Sequence, residues 1–269
     1  MREFAAAAGW FLGALLLVFW PAIVSGSPVA SADALRQIDA LYATDEPKPP
    51  LPPPPLDRLA SILRHPLMPI GVYDPAFYWI DLPNDHLQAQ QFQRGAWPLW
   101  NPYSGLGTSL LATGQAAPFF PLKLLVYVAP GDALNAGAYS VYLAARLFIA
   151  AMGTYAFSRA IGASHPAGLL AGVGYGLCGY LVTHFHNVEA TTAALLPLVA
   201  WSFEVAARRC TPGAVSVAGL ALGLVGNAGH PDAAIYASAW SMAYALGRGW
   251  GVTWKWLLAT PIGAAVARK

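Results

Sequence analysis

Apolar residues fall in long uninterrupted runs joined by short polar connections, with one long polar interruption after the first run. That run, residues 4–24, holds 21 residues without a charge. A bilayer's hydrocarbon core of about 30 Å needs about 20 residues at about 1.5 Å each, so the run predicts a spanning helix. A cleaved signal peptide is the rival reading, because Arg2 precedes the run and Ser25, Gly26, Ser27 and Ala30 follow it. Such peptides carry a shorter apolar stretch of about 7 to 15 residues, which favours a retained helix. Further runs predict spans over 133–157, 167–185, 191–207, 214–228 and 233–246, with another starting near Trp256. Three of these run to only 14–17 residues, which suits tilted partners or halves of a broken re-entrant pair.

The interruption, residues 25–132, contains no run long enough to span, yet it carries 15 of the 28 charged residues. The organisation predicted is therefore a first helix (1–24), an aqueous or surface-lying loop (25–132) and a helical bundle (133–269). Within the loop, residues 47–55 read PKPPLPPPP, where fixed φ and missing amide protons predict a stiff polyproline II spacer. Short helices are predicted at 57–65 and 85–94. Trp97, Trp100, Tyr103, Phe119, Phe120 and Tyr127 crowd the loop's end, as rings do at headgroup depth.

Basic residues in short loops set the orientation. With a cytoplasmic amino terminus, Arg2, Arg159, Arg208, Arg209, Arg248 and Lys255 all fall inside, whereas the short outer loops hold Glu189 and Asp232 and no Lys or Arg. The long loop is then external.

Composition agrees with this layout. Charged residues make up 10% of the chain and apolar ones 57%, against about 25% charged in a soluble domain, which excludes a soluble enzyme or a disordered chain. The net charge of +2 comes from mixed signs and points to no nucleic-acid partner. Cys178 and Cys210 are too few for a disulfide framework and read as packing residues.

Candidate chemistry gathers on the predicted external face. Asp81 and Asp85 stand four apart at the start of a short helix, where one carboxylate can cap the first turn. With His86 and Asp74 nearby, they can also take a proton from a hydroxyl or hold a divalent cation. Arg146 falls inside a predicted span, where a charge costs roughly 2.5 to 3.5 kcal/mol on insertion scales, and calls for a partner such as Glu204. His184 and His186 alternate about Phe185, which separates their faces and disfavours a shared metal. His230-Pro231-Asp232 reads either as a plain turn or as part of a reaction cavity.

The runs GAWPLWNPYSGLGTSLL (95–111), FFPLKLL (119–125), GYGLCGYLVTHFHN (174–187), LLPLVAW (195–201) and GHPDAAIYA (229–237) resemble the YfhO family of bacterial membrane proteins. That family is in turn similar to the GT-C superfamily of membrane glycosyltransferases. The resemblance implies a GT-C-like all-α polytopic bundle in the bacterial cytoplasmic membrane. It implies transfer of a sugar from a polyprenyl-phosphate donor to an extracytoplasmic acceptor, a cell-envelope glycan or lipid. It places the catalytic carboxylate at Asp85 or Asp81, with Asp74 third. Binding of substrate is implied for Asp74, His86, Arg94, Trp100, Asn101, Lys123, His186, His230 and Asp232, and a divalent ion, Mg or Mn, for Asp81 and Asp85. Relatives run to several hundred residues, so the chain reads as an amino-terminal portion, with Lys269 falling partway into an apolar segment. A second class stays open: a non-catalytic membrane protein, either a lipid-linked sugar carrier or an inactive fragment. Against a carrier, no inverted repeat is visible.

Overall fold

The computed structural model describes residues 2–25, 77–129 and 134–259. The Pro-rich run 47–55, the predicted helix 57–65 and Asp74 lie outside the described residues. Helix α1 covers Arg2–Ser25, a single π-helical turn covers Phe77–Asp81, and α2 covers Leu82–Gln93. A two-stranded hairpin follows, β1 at Trp100–Asn101 and β2 at Thr108–Ser109, antiparallel with Trp100 opposite Ser109. Then come α3 (Pro121–Tyr127), α4 (Ala136–Ala160), α5 (His165–Gly176), α6 (Gly179–Thr183), α7 (Glu189–Arg209), α8 (Pro212–Gly226) and α9 (Pro231–Ala259).

The chain is an all-α membrane protein. Among the described residues, four stretches are long and apolar enough to cross a bilayer: Arg2–Trp20, Gly137–Ala160, His165–Thr183 and Glu189–Arg209, with Pro212–Gly226 a shorter apolar helix. Helix starts follow local chemistry. The side chains of Asn135, Ser164 and Thr211 accept hydrogen bonds from Ala138, Ala167 and Ala214 N–H groups, and proline occupies the first turn of α5 and α8, where its missing amide proton costs nothing.

Two predicted spans differ from the observed helices. The run 167–185 breaks between Gly176 and Gly179 into α5 and α6, with Cys178 extended at φ −65°, ψ 154°. The separate stretches at 233–246 and from Trp256 are one continuous helix, α9, 29 residues long. Glycines in LGRGWG lower helix propensity by about 1 kcal/mol each without forcing an end.

Helices α4 and α7 form the centre, and close approach there depends on glycine. A Cβ on Gly153 of α4 would lie 2.9 Å from the Leu198 nitrogen of α7, beside Pro197. Gly168, Gly172 and Gly176, spaced by four, form a small-residue stripe that lets α5 meet α4: a Cβ on Gly172 would lie 2.8 Å from the Ala151 carbonyl oxygen, and one on Gly176 2.8 Å from the Ala151 Cβ. Trp10, Leu16, Leu17 and Trp20 of α1 are exposed, as expected of a surface that faces lipid rather than water.

The two ends of the bundle are tied differently. At one end, Arg159 at the close of α4 donates to Glu3 of α1 at 2.7 Å, and Glu204 of α7 accepts from Arg208, Arg248 and the Tyr244 hydroxyl. At the other, where α4 begins, the loops before α3, α7 and α9 converge. Phe120 and Tyr127, expected as interfacial rings, are buried in the core there, while Trp97, Trp100 and Tyr103 are exposed.

Candidate functional site

Asp81 closes the π-helical turn and Asp85 lies in the first turn of α2. Neither acts as the expected cap: Asp81 occupies the cap position, but its side chain makes no cap hydrogen bond. Its Oδ1 instead accepts from Gln115 Nε2 at 3.1 Å.

Asp85 is the hub of a buried cluster. Its Oδ1 accepts from Lys123 Nζ and from the Tyr127 hydroxyl, each at 2.8 Å, and its Oδ2 accepts from the Tyr139 hydroxyl at 3.1 Å. One carboxylate thus joins α2, α3 and α4. Lys123 and Tyr127, four apart, share one face of α3. Lys123 and Asp85 are 2% and 1% exposed, and Lys123 also donates to the Ala116 carbonyl at 3.4 Å, which Gln88 Nε2 approaches to 3.1 Å.

Burial pulls against the Lys123 ammonium, but the Asp85 charge and hydrogen bond outweigh it and hold its pKa above the ordinary lysine value. Burial, and then the Asp85 charge, push the Tyr127 phenol well above its usual range. At neutral pH Lys123 is therefore an ammonium and Tyr127 a hydroxyl donor, both directed at Asp85.

That arrangement does not suit the divalent cation expected at Asp81 and Asp85. Both Asp85 oxygens already accept hydrogen bonds, and an ammonium stands where a cation would sit. Among the described residues no three His, Cys, Asp or Glu converge as ligands.

The other expected residues separate into groups. Asn101 holds the hairpin to α2: its Nδ2 donates to Asn84 Oδ1 at 2.9 Å, and its Oδ1 accepts from the Tyr103 N–H. Gly107, at φ +100°, leaves room for the Trp100 ring, since a Cβ there would come within 2.4 Å of it. The middle of the run 95–111 is thus the two strands of one hairpin and its turn. His86 is buried and meets Gln90 across 2.9 Å. His186 packs its ring between Phe77 and Phe185. Arg94 and Asp232 are exposed and stand outside the cluster.

Arg146 does not meet Glu204, which is taken by its own partners at the other end. It donates to the Phe185 and Asn187 carbonyls and to Thr191 Oγ1, and lies 5.0 Å from the Tyr142 ring centroid. The guanidinium thus pins the turn between α6 and α7.

His230 serves as both cap and partner. Its Nδ1 accepts from the Ala233 N–H at 3.1 Å, so the ring proton lies on Nε2, which donates to Glu189 Oε1 at 3.3 Å. Gly229, just before it, sits against the Gln115 carbonyl: an added Cβ would lie 2.9 Å away. The segment 114–117 therefore reaches from Asp81 to Gly229 and Pro231, the residues on either side of His230.

Sequence reasoning missed Gln115, Tyr127 and Tyr139 as partners of the two carboxylates. For Tyr127 the four-residue spacing from Lys123 was a usable signal; Tyr139 offered none. No family model, curated protein or solved structure matches the chain.

Proposed function

We propose that the chain acts as part of a GT-C-like glycosyltransferase of the bacterial cytoplasmic membrane, moving a sugar from a polyprenyl-phosphate carrier to an extracytoplasmic acceptor. The amino terminus is cytoplasmic in this reading, and the Asp81–Asp85 end of the bundle faces outward. The observation that carries the proposal is two buried carboxylates, one helical turn apart, beneath an aromatic-rich hairpin at one end of an apolar bundle.

In this reading the two carboxylates have different roles. Asp85 is a positioning residue, because a sugar hydroxyl reaches it only by displacing a tyrosine. Asp81 is the base, accepting the acceptor's proton. The exposed Arg94 meets the donor phosphate, a role for which Lys123, paired and buried, is not free. A positioned base contributes typically 10² to 10⁴ in rate. Asp81→Asn in membranes supplied with polyprenyl-phosphate sugar is expected to lower transfer at least about a hundredfold without shifting the melting temperature by more than a few degrees. Full transfer by this variant would remove the catalytic claim.

The saturation of both Asp85 oxygens also favours a second reading, a non-catalytic membrane protein in which the cluster only locks the fold. No transfer by the intact protein, with the cluster still essential for stability, is the outcome that supports it.

A further inference from the structure

Helices α7 and α9 bring Arg208 and Arg248 to a single acceptor. Glu204, fully buried, accepts on Oε1 from Arg208 Nε and Arg248 Nη2, and on Oε2 from the Tyr244 hydroxyl at 2.6 Å. Two donors on one oxygen stand within about 6 Å of each other, twice a hydrogen-bond length, so the guanidiniums are neighbours. Their side chains are nevertheless 51% and 44% exposed. A guanidinium carries several N–H donors and stays protonated, and among the described residues neither of these two donates anywhere but to Glu204. Two fixed positive charges against at most one negative leave the pair cationic whatever the state of Glu204, with donors left for a second anion.

An apolar cavity of about 760 Å³ ends one helical turn from this pair, with Phe157, Pro197, Ala200, Ala237 and Trp240 among its lining. Ala200 stands four residues before Glu204, and Trp240 four before Tyr244. The Trp240 and Tyr244 rings stack with centroids 5.4 Å apart, and Phe157 meets the Tyr244 ring edge-on. From Ala200 back to Glu189, the only charged residue among the described lining, the wall runs about 16 Å along α7. That is roughly half the hydrocarbon core, the depth that one lipid chain occupies. Met242 and Leu246 are exposed and carry the apolar surface of α9 up to Arg248.

The two features join end to end. A soluble phosphate would use only the arginines, and a neutral lipid only the cavity; a lipid with an anionic head uses both. Basic residues between spanning helices recognise such heads by charge and by paired N–H donors. We propose that α7 and α9 bind an anionic phospholipid, its phosphate between Arg208 and Arg248 and one acyl chain along the cavity. The site stands independently of the transferase reading, at the opposite end of the bundle from Asp81 and Asp85.

The test uses the full chain in phosphatidylcholine nanodiscs doped with a trace of phosphatidylglycerol or phosphatidylcholine, each bearing the same diazirine-labelled acyl chain. Labelled residues are mapped by peptide mass spectrometry. Expected is labelling of residues 193–200 and 233–240 by the phosphatidylglycerol at least about tenfold above the phosphatidylcholine; a smaller ratio in the wild type overturns the proposal. Arg208→Gln with Arg248→Gln, made together with Glu204→Gln so that no buried carboxylate is stranded, should bring the ratio to within about twofold of one. A ratio that stays higher in a triple variant melting like the wild type also overturns it. Ala193→Phe, which narrows the cavity, should cut labelling by phosphatidylglycerol several-fold; unchanged labelling would remove the acyl chain from the cavity. Millimolar glycerol phosphate in the buffer should leave the wild-type ratio unchanged. If it lowers labelling by phosphatidylglycerol to the phosphatidylcholine level, the arginines bind soluble phosphate and the lipid assignment fails.

Discussion

Replacing Lys123 by methionine tests the Asp85 cluster most directly. The change keeps the length and apolar body of the side chain and removes only the ammonium, leaving the Asp85 carboxylate 1% exposed with its charge uncompensated. Breaking a buried ion pair in this way costs about 3–5 kcal/mol, and the lower end applies here because Tyr127 and Tyr139 still donate to the carboxylate. At about 2–4 °C per kcal/mol, the melting temperature should fall by roughly 6–12 °C. The companion Asp85→Asn strands the lysine and should cost a similar amount. The double variant should cost less than the two singles together, by a coupling of about 1–3 kcal/mol. Circular dichroism melts of the detergent-solubilised protein, with chromatographic homogeneity as a check, read all three. The pH dependence has a definite sign. Because the folded-state pKa of Lys123 is raised above 10.5, its contribution is fully present below about pH 10 and is lost only as pH rises through that raised value. The wild-type advantage over Lys123→Met should therefore be constant from pH 7 to 10 and shrink above. A loss under about 1 kcal/mol, strict additivity of the two singles, or an advantage that fades between pH 7 and 9 would refute the reasoning.

Three further outcomes are expected. Arg146→Leu leaves the Phe185 and Asn187 carbonyls without their donor, so residues 184–188 should become cleavable by limited proteolysis at least tenfold faster than in the wild type; equal cleavage would show that the turn holds itself. Gly153→Val drives a side chain into the backbone of α7 and should destabilise by about 1–3 kcal/mol in detergent melts, whereas Gly219→Val, with open space around it, should cost under about 1 kcal/mol. In a Cys178→Ala background, a cysteine at the exposed Leu106 should react with an impermeant thiol reagent on intact cells, while the exposed Cys210 should react only after permeabilisation; the reverse pattern would invert the proposed orientation.

The helical class was legible because apolar runs of about 20 residues have few other readings. Helix α2, predicted at 85–94, starts at Leu82, about a turn early, since proline at 83 is tolerated in a first turn. The break between α5 and α6 was hidden because residues on both sides are apolar, and composition does not register a two-residue change in backbone direction. Asp81 and Asp85 stood out as carboxylates on the predicted external face, but what they touch depends on chain distances that no local pattern encodes: Tyr127 and Tyr139 lie 42 and 54 residues from Asp85. Arg146 was legible as a residue in need of a partner. Its partners were not, because two are backbone carbonyls, which every residue carries.

The choice of those partners bears on how the protein is made. Arg146 leaves the ribosome 39 residues ahead of Phe185, and at about 5–20 residues per second the gap lasts roughly 2–8 s. Through that interval α4 would have a guanidinium to place with none of its acceptors synthesised, a cost of roughly 2.5 to 3.5 kcal/mol if it entered lipid alone. Helix α4 is therefore expected to stay beside the insertion machinery until the turn before α7 emerges, so that the two enter the bilayer as a unit and not in sequence.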